Sequence, residues 1–242
     1  LWVQGPLYTR RPDVLLYVNG IPLVFIELKA LHVSVENAFY DNLRDYKDTI
    51  PHLFHYNAFV ILSNGEEAKI GSITSQFEHF NDWKRLQEEE EGDVELERMI
   101  RGTCQPELLM DLFENFILFD TAGGKTAKLI ARNHQYLGVN RAIESVRHLK
   151  EQDGKLGVFW HTQGSGKSYS MVFFCQKVHR KLEGDFTFLI VTDRRELDKQ
   201  IYENFSGVGA VTTKQVRAES GEHLKELLRE NHRYIFTLIH KF

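Results

Sequence analysis

The period of apolar positions changes along this chain, and the changes mark its elements. Val14-Leu15-Leu16-Tyr17-Val18 and Ile21 to Leu28 are apolar runs separated by Asn19-Gly20. Asn-Gly between two such runs is a strong hairpin signal, because both turn residues take positive φ. A helix follows from Ser34 to about Thr49, with Ser34 as its cap and Pro51 marking its end. Val35, Phe39, Asn42 and Tyr46 fall on one face of it. Ala58 to Leu62, Ser63-Asn64-Gly65 and Glu67 to Gly71 read as a second hairpin. Residues 116–131 read as a third, around Gly123-Gly124.

From about residue 133 strands alternate with helices. A helix covers roughly Tyr136 to Lys150. A strand, Gly157 to Trp160, runs into a Gly-rich loop and a helix from Lys167 to about Lys181. The strand Phe186 to Thr192, the helix Glu196 to Phe205 and the strand Tyr234 to Ile239 follow. Such alternation predicts a parallel sheet, whereas hairpins mixed with helices predict an α+β first part. The change falls between residues 85 and 125, and the expected division is 1–119 and 120–242.

Composition narrows the class. The 242 residues are 42% hydrophobic and 26% charged, which is ordinary globular usage. No apolar stretch approaches the ~18 residues of a membrane span. The start, Leu1-Trp2-Val3-Gln4-Gly5, lacks a basic n-region and an apolar h-region, so it reads as the interior of a longer chain rather than a signal peptide. Cys104 and Cys175 are too few for a disulfide framework, and the expected compartment is the reducing cytoplasm. The net charge of −4 hides an uneven distribution. Residues 78–98 hold nine acids against three bases, and the run 88–97 reads as a solvated helix face or linker. Residues 125–150 hold six bases against one acid, so a DNA partner stays open.

The strongest chemical signal is His161-Thr162-Gln163-Gly164-Ser165-Gly166-Lys167-Ser168. It follows an expected strand and opens a helix, the context of a phosphate-binding P-loop. Backbone N–H groups of Gly164, Ser165 and Gly166 can cradle phosphate oxygens. Lys167 would reach the β- and γ-phosphates of ATP, and Ser168 would ligate Mg²⁺. His161 stands where the strict pattern has Gly. Gly123-Gly124-Lys125-Thr126 imitates the end of a P-loop, but both flanks read as strands, so it is a hairpin turn. Gln135, upstream of the loop, could hydrogen-bond an adenine edge. Arg194 and Arg195, after the second strand, could touch a DNA backbone or sit in solvent.

The second signal is Pro12-Asp13 followed by Glu27-Leu28-Lys29 at the open end of the first hairpin. Glu27 and Lys29 share one face of their strand, while Val24, Ile26 and Leu28 point to the other and can pack in the core. Asp13 and Glu27 can hold Mg²⁺ through carboxylate oxygens, and Lys29 can orient a water or stabilise charge on a phosphate. Regular pairing across Asn19-Gly20 sets Asp13 opposite Ile26, on the wrong face for Glu27. Joint metal binding therefore needs a one-residue register shift, and Pro22, which donates no ladder hydrogen bond, is the place for it.

These motifs together resemble the restriction (R) subunit of type I restriction enzymes. Arg11-Pro12-Asp13, Asn19-Gly20-Ile21-Pro22-Leu23 and Ile26-Glu27-Leu28-Lys29 are similar to its nuclease region. Phe159 to Ser168, including His161, is similar to its P-loop. Asn133-His134-Gln135 looks like its adenine-reading segment, and Thr192 to Asp198 like its next helicase motif. The resemblance implies a PD-(D/E)xK restriction-endonuclease-like α/β domain followed by a partial RecA-like P-loop parallel sheet. It implies ATP-driven translocation of double-stranded DNA, Mg²⁺-dependent cleavage, and modification and specificity subunits as partners. Related nucleases carry Gln-x3-Tyr after the Glu-x-Lys strand, and Asn42 with Tyr46 stands at that place, with an amide one methylene shorter. No Walker B Asp-Glu-x-His follows within these residues, so this chain alone is expected to bind nucleotide without turning it over. Another nuclease–helicase, of DNA repair or type III restriction, and a non-catalytic ATP-binding assembly module are the alternatives.

Overall fold

The computed structural model describes residues 1–87, 89–92, 95–212 and 216–242. The chain forms two compact units, one of Leu1–Leu118 with Lys128–Leu137, the other of Phe119–Ala127 with Gly138–Phe242.

In the first unit, a short antiparallel pair, β1 (Val3–Gln4) and β2 (Thr9–Arg10), precedes the hairpin of β3 (Val14–Val18) and β4 (Ile21–Leu28). Asn19 at φ 51° and Gly20 at φ 81° make its turn, the hand that matches strand twist. β4 pairs in parallel with β5 (Phe59–Ser63), which pairs antiparallel with β6 (Ala68–Gly71), giving the order β3-β4-β5-β6. Parallel neighbours need a crossover, and α1 supplies it. α1 runs through Val35–Asn37, a π-helical Ala38–Leu43 and Arg44–Thr49. Ser34 Oγ accepts the Glu36 N–H at 3.2 Å and caps its start. Phe25, Val60 and Leu62 of the sheet form one core with Val35, Phe39, Leu43 and Tyr46 of α1.

Every residue of β5 is buried, and so is β4 from Leu23 to Glu27. This corrects the expectation of a core face and an open face on β4. A strand paired in parallel at the sheet centre is covered on both sides, so Glu27 lies on the buried face it shares with Phe25. The acidic stretch is largely irregular chain before α2 (Leu96–Thr103), and its Glu88 and Asp93 lie outside the described residues. Neither α2 nor α3 (Pro106–Asn115) was read from the sequence. β7 (Ile117–Asp120) and β8 (Ala127–Ile130) form the third hairpin, so Gly123-Gly124-Lys125-Thr126 is a turn. α4 (Asn133–Arg147) starts earlier than expected and ends before Lys150.

The second unit contains α5 (Lys167–Lys181), β9 (Phe188–Thr192), α6 (Arg195–Gly207), α7 (Gly221–Leu227) and β10 (Tyr234–Leu238). β9 and β10 pair in parallel, as expected. Tyr202 and Phe205 of α6 pack edge-on against Phe236, and Leu224 and Leu227 of α7 join Ile235 in a core. The strand expected at Gly157–Trp160 is absent: residues 155–162 carry no regular structure. A strand exists by pairing its backbone, and among the described residues no strand pairs with this segment. Val158 is 90% exposed and Trp160 87%.

Candidate active site

The register shift is present in the first hairpin. Val18 opposes Ile21 and Tyr17 opposes Pro22, but Leu16 opposes Val24, so Leu23 is an extra residue on β4. Pro22 has no N–H to lose from the ladder, and the bulge sits beside it. Beyond it Val14 opposes Ile26, which brings Asp13, the next residue outward, level with Glu27. The bulge thus re-aims a side chain at a sheet margin.

Five residues meet at this end of the sheet. Glu27 is 2% exposed, and its Oε2 has no hydrogen-bond partner among the described residues. Burial, and then the charge of Asp13, push its carboxyl up to about 8, against the pull of Lys29. Asp13 Oδ2 accepts the Leu28 N–H at 2.9 Å. Lys29 Nζ donates to Asn42 Oδ1, and Tyr46 follows Asn42 by one turn of α1. The Tyr46 hydroxyl lies 3.5 Å from the Arg11 carbonyl, and burial raises its pKa. The shorter amide of Asn42 is therefore long enough to hold the lysine head.

Arg10 and Asp45 were not singled out from the sequence. Arg10 Nε and Nη2 grip Asp45 Oδ2 and Oδ1 at 2.5 and 2.9 Å. This fork ties the strand leading into Asp13 to α1, and it holds the Asp45 carboxyl below its ordinary range. The partners are far apart in sequence, so no spacing rule exposes them.

Asp13 and Glu27 fit a hard divalent cation. Asp13 is exposed beside the buried Glu27, and a cation between them offsets the cost of holding two acids together, one with an orphaned oxygen. Mg²⁺ is commonly held by one or two carboxylates while keeping several waters. Among the described residues no group of three or more His, Cys, Asp or Glu gathers at one place.

The second candidate site lies in the other unit. Gly164 and Gly166 take φ 77° and 83°, a backbone hand that residues with a Cβ adopt poorly, and α5 begins at Lys167. Lys167 Nζ folds back onto the carbonyls of His161 and Thr162, both at 2.8 Å. Ser165 is buried and Ser168 half-buried. The departure at His161 has a packing reason. Its ring meets Phe159 edge-on at 4.4 Å, and a Cβ on Gly138 of α4 would fall 2.6 Å from Phe159 and 3.5 Å from His161. Tyr169, one turn into α5, donates its hydroxyl to Asp120 Oδ2 at 2.7 Å.

Gln135 is buried in the first unit, where its Oε1 accepts the Arg132 N–H at 2.8 Å. Arg194 pairs with Asp193 at 3.3 Å. Arg195 instead lines a cavity of about 450 Å³ with Asp198, Arg217, Glu219 and Lys241.

Two family models match this chain. Residues 1–79 match the family described as type I restriction enzyme R protein N terminus, and residues 134–242 match the SWI2/SNF2 ATPase family. The chain belongs to the type I restriction R-subunit family. It is similar to the type I restriction enzyme HindI endonuclease subunit of Haemophilus influenzae, 40% identical over 96% of this chain and 23% of that protein. It is also similar to the MjaIXP endonuclease subunit of Methanocaldococcus jannaschii, 32% identical over 96% of this chain and 24% of that protein. The chain thus spans about a quarter of the length of the curated relatives it matches.

Proposed function

We propose that the first unit is a PD-(D/E)xK nuclease that cuts DNA, and that the second is part of a RecA-like lobe of the ATP-driven motor that moves it. The observation that carries this reading is Glu27, a buried carboxylate brought level with Asp13 by a single bulge and left with an oxygen that no described residue satisfies. Asp13 and Glu27 would hold Mg²⁺. That ion supplies an acidified water and neutralises charge building on the phosphate. Asn42 presents the Lys29 ammonium toward the same place, and Tyr46 stands one turn along the same helix. Lys29 stabilises charge on the phosphate undergoing attack.

In the motor, the backbone of Gly164, Ser165 and Gly166 would receive the phosphates of ATP. Lys167 exchanges the carbonyls of His161 and Thr162 for phosphate oxygens, and Ser168 contributes to Mg²⁺. The partners are double-stranded DNA and the modification and specificity subunits of a restriction complex, in the cytoplasm. In the full-length subunit assembled with those partners, Asp13→Asn and Glu27→Ala lose DNA cleavage and keep ATP turnover. Normal cutting by Glu27→Ala would overturn the assignment and make the cluster structural.

A further inference from the structure

The bulge that aligns Asp13 with Glu27 is held from outside its hairpin. Leu23 is the extra residue, and its carbonyl accepts two hydrogen bonds, from the Ala58 N–H at 2.6 Å and from Asn57 Nδ2 at 3.2 Å. The same Nδ2 donates to the Phe59 carbonyl at 2.8 Å. One buried amide therefore ties the irregular residue of β4 to the start of β5. The main-chain carbonyl of Asn57 in turn accepts Lys128 Nζ, from β8. Lys128 is anchored by its backbone as well: its N–H donates to Thr74 Oγ1 at 2.8 Å, and its carbonyl accepts the Thr74 hydroxyl at 3.3 Å.

Hydrogen bonds fix the place of an ammonium drawn even partly out of water, and burial pushes this one down to about 8. Leu23 to Glu27 are one run of strand, about 13 Å long at the usual rise. Side chains alternate along it, so a one-residue slip at Leu23 turns Glu27 to the opposite face.

We propose that Asn57 and Lys128 are positioning residues for DNA cleavage, locking the Leu23 bulge and with it the register that sets Glu27 level with Asp13. The inference rests on the nuclease reading of that cluster. Neither residue touches DNA or metal in this role. They act through the phase of β4, as outer-shell groups act on metal ligands.

The test uses the full-length subunit in its assembled complex, with two readouts. The first is hydrogen exchange of metal-free protein, comparing the peptide over 23–29 with that over 68–71. The second is the Mg²⁺ concentration that half-saturates DNA cleavage. Lys128→Met is expected to speed exchange at 23–29, leave 68–71 protected and raise the Mg²⁺ requirement about tenfold. Lys128→Arg, which keeps a donor, stays near wild type. Exchange at 23–29 unchanged in Lys128→Met overturns the proposal, and so does loss of protection at both peptides together, since the contact would then serve the fold at large. Lys128→Gln, a milder change, gives the same comparison if Lys128→Met does not assemble. Glu27→Ala separates the two claims. If it cuts normally, the nuclease reading fails; if it is dead while Lys128→Met keeps wild-type exchange and Mg²⁺ dependence, only the positioning role fails.

Discussion

Lys128 carries a positive charge into a site where burial opposes it, and that has a sign in stability. Its pKa falls from the usual lysine range to about 8 on folding. Between about pH 8 and 10.5 the unfolded chain therefore holds more protons at this residue than the folded one, and stability rises with pH there. Below pH 8 both states are charged and the burial penalty is fully present. Chemical denaturation from pH 7 to 10 should show the stability of wild type climbing relative to Lys128→Met; parallel pH profiles would refute the assignment of that charge. Gln135 makes a separate prediction. If its amide also reads adenine, Gln135→Ala loses one ordinary hydrogen bond, about 0.5–1.5 kcal/mol, or roughly two- to twelve-fold in affinity. ATP should weaken by that factor while inorganic triphosphate does not, as competition titrations with the two ligands will show. Equal weakening would return Gln135 to its observed contact with Arg132.

At the scale of elements, two irregularities build the first site. The bulge in β4 sets Glu27, and the π-helical segment of α1 sets Asn42. The Arg44 N–H reaches back to the Phe39 carbonyl, a wider turn than an α-helix makes, and such segments occur often at functional sites. Ala38, Phe39 and Leu43 stay buried while Asn42 keeps its amide on Lys29. The P-loop depends on an element contact too. The lead-in to it packs on the bare backbone of α4 at Gly138, where any Cβ collides with Phe159. Gly138→Val should displace Phe159 and His161 and weaken nucleotide binding about tenfold, or ~1.4 kcal/mol, without altering a residue that touches phosphate. Fluorescent-nucleotide titration measures this, and an unchanged affinity would show that the loop holds its form without the contact.

At the scale of the whole molecule, the second unit carries an apolar strip that the described residues leave exposed. Val158 and Trp160 are almost fully exposed, and Leu156 is 40% exposed. Exposed apolar chain of this kind marks an interaction surface or an association hazard. The purified 242-residue chain should self-associate at tens of micromolar, on the order of protein stocks where such surfaces meet. Val158→Lys combined with Trp160→Glu should shift it toward monomer. Sedimentation velocity across a concentration series decides; the same association in wild type and double variant would move the contact elsewhere. Among the described residues no helix is long and apolar enough to cross a membrane.

Residues a few positions apart determined much of this protein on their own. Asn19-Gly20 requires positive φ and makes its hairpin, Ser34 caps α1, and Gly-x-Gly-Lys-Ser opens α5. The need for a register shift near Pro22 was legible because period-2 alternation leaves Asp13 and Glu27 on opposite faces without one. Asp13, Glu27 and Lys29 could be named together because each sits at a computable place on a strand, whereas Asn42 and Tyr46 were named only by the resemblance to related nucleases. Other features had to wait for the tertiary structure. Whether Gly157–Trp160 is a strand depends on a neighbour, and apolarity cannot supply one. The burial of Glu27 follows from β5 and α1 closing over β4. The π segment follows from packing, since its sequence also suits an α-helix. The fork between Arg10 and Asp45, and the brace of Asn57 and Lys128, join residues 35 and 71 positions apart. Local chemistry acts within a turn or a few strand residues, whereas a long-range hydrogen bond exists only after the core has brought its two ends together.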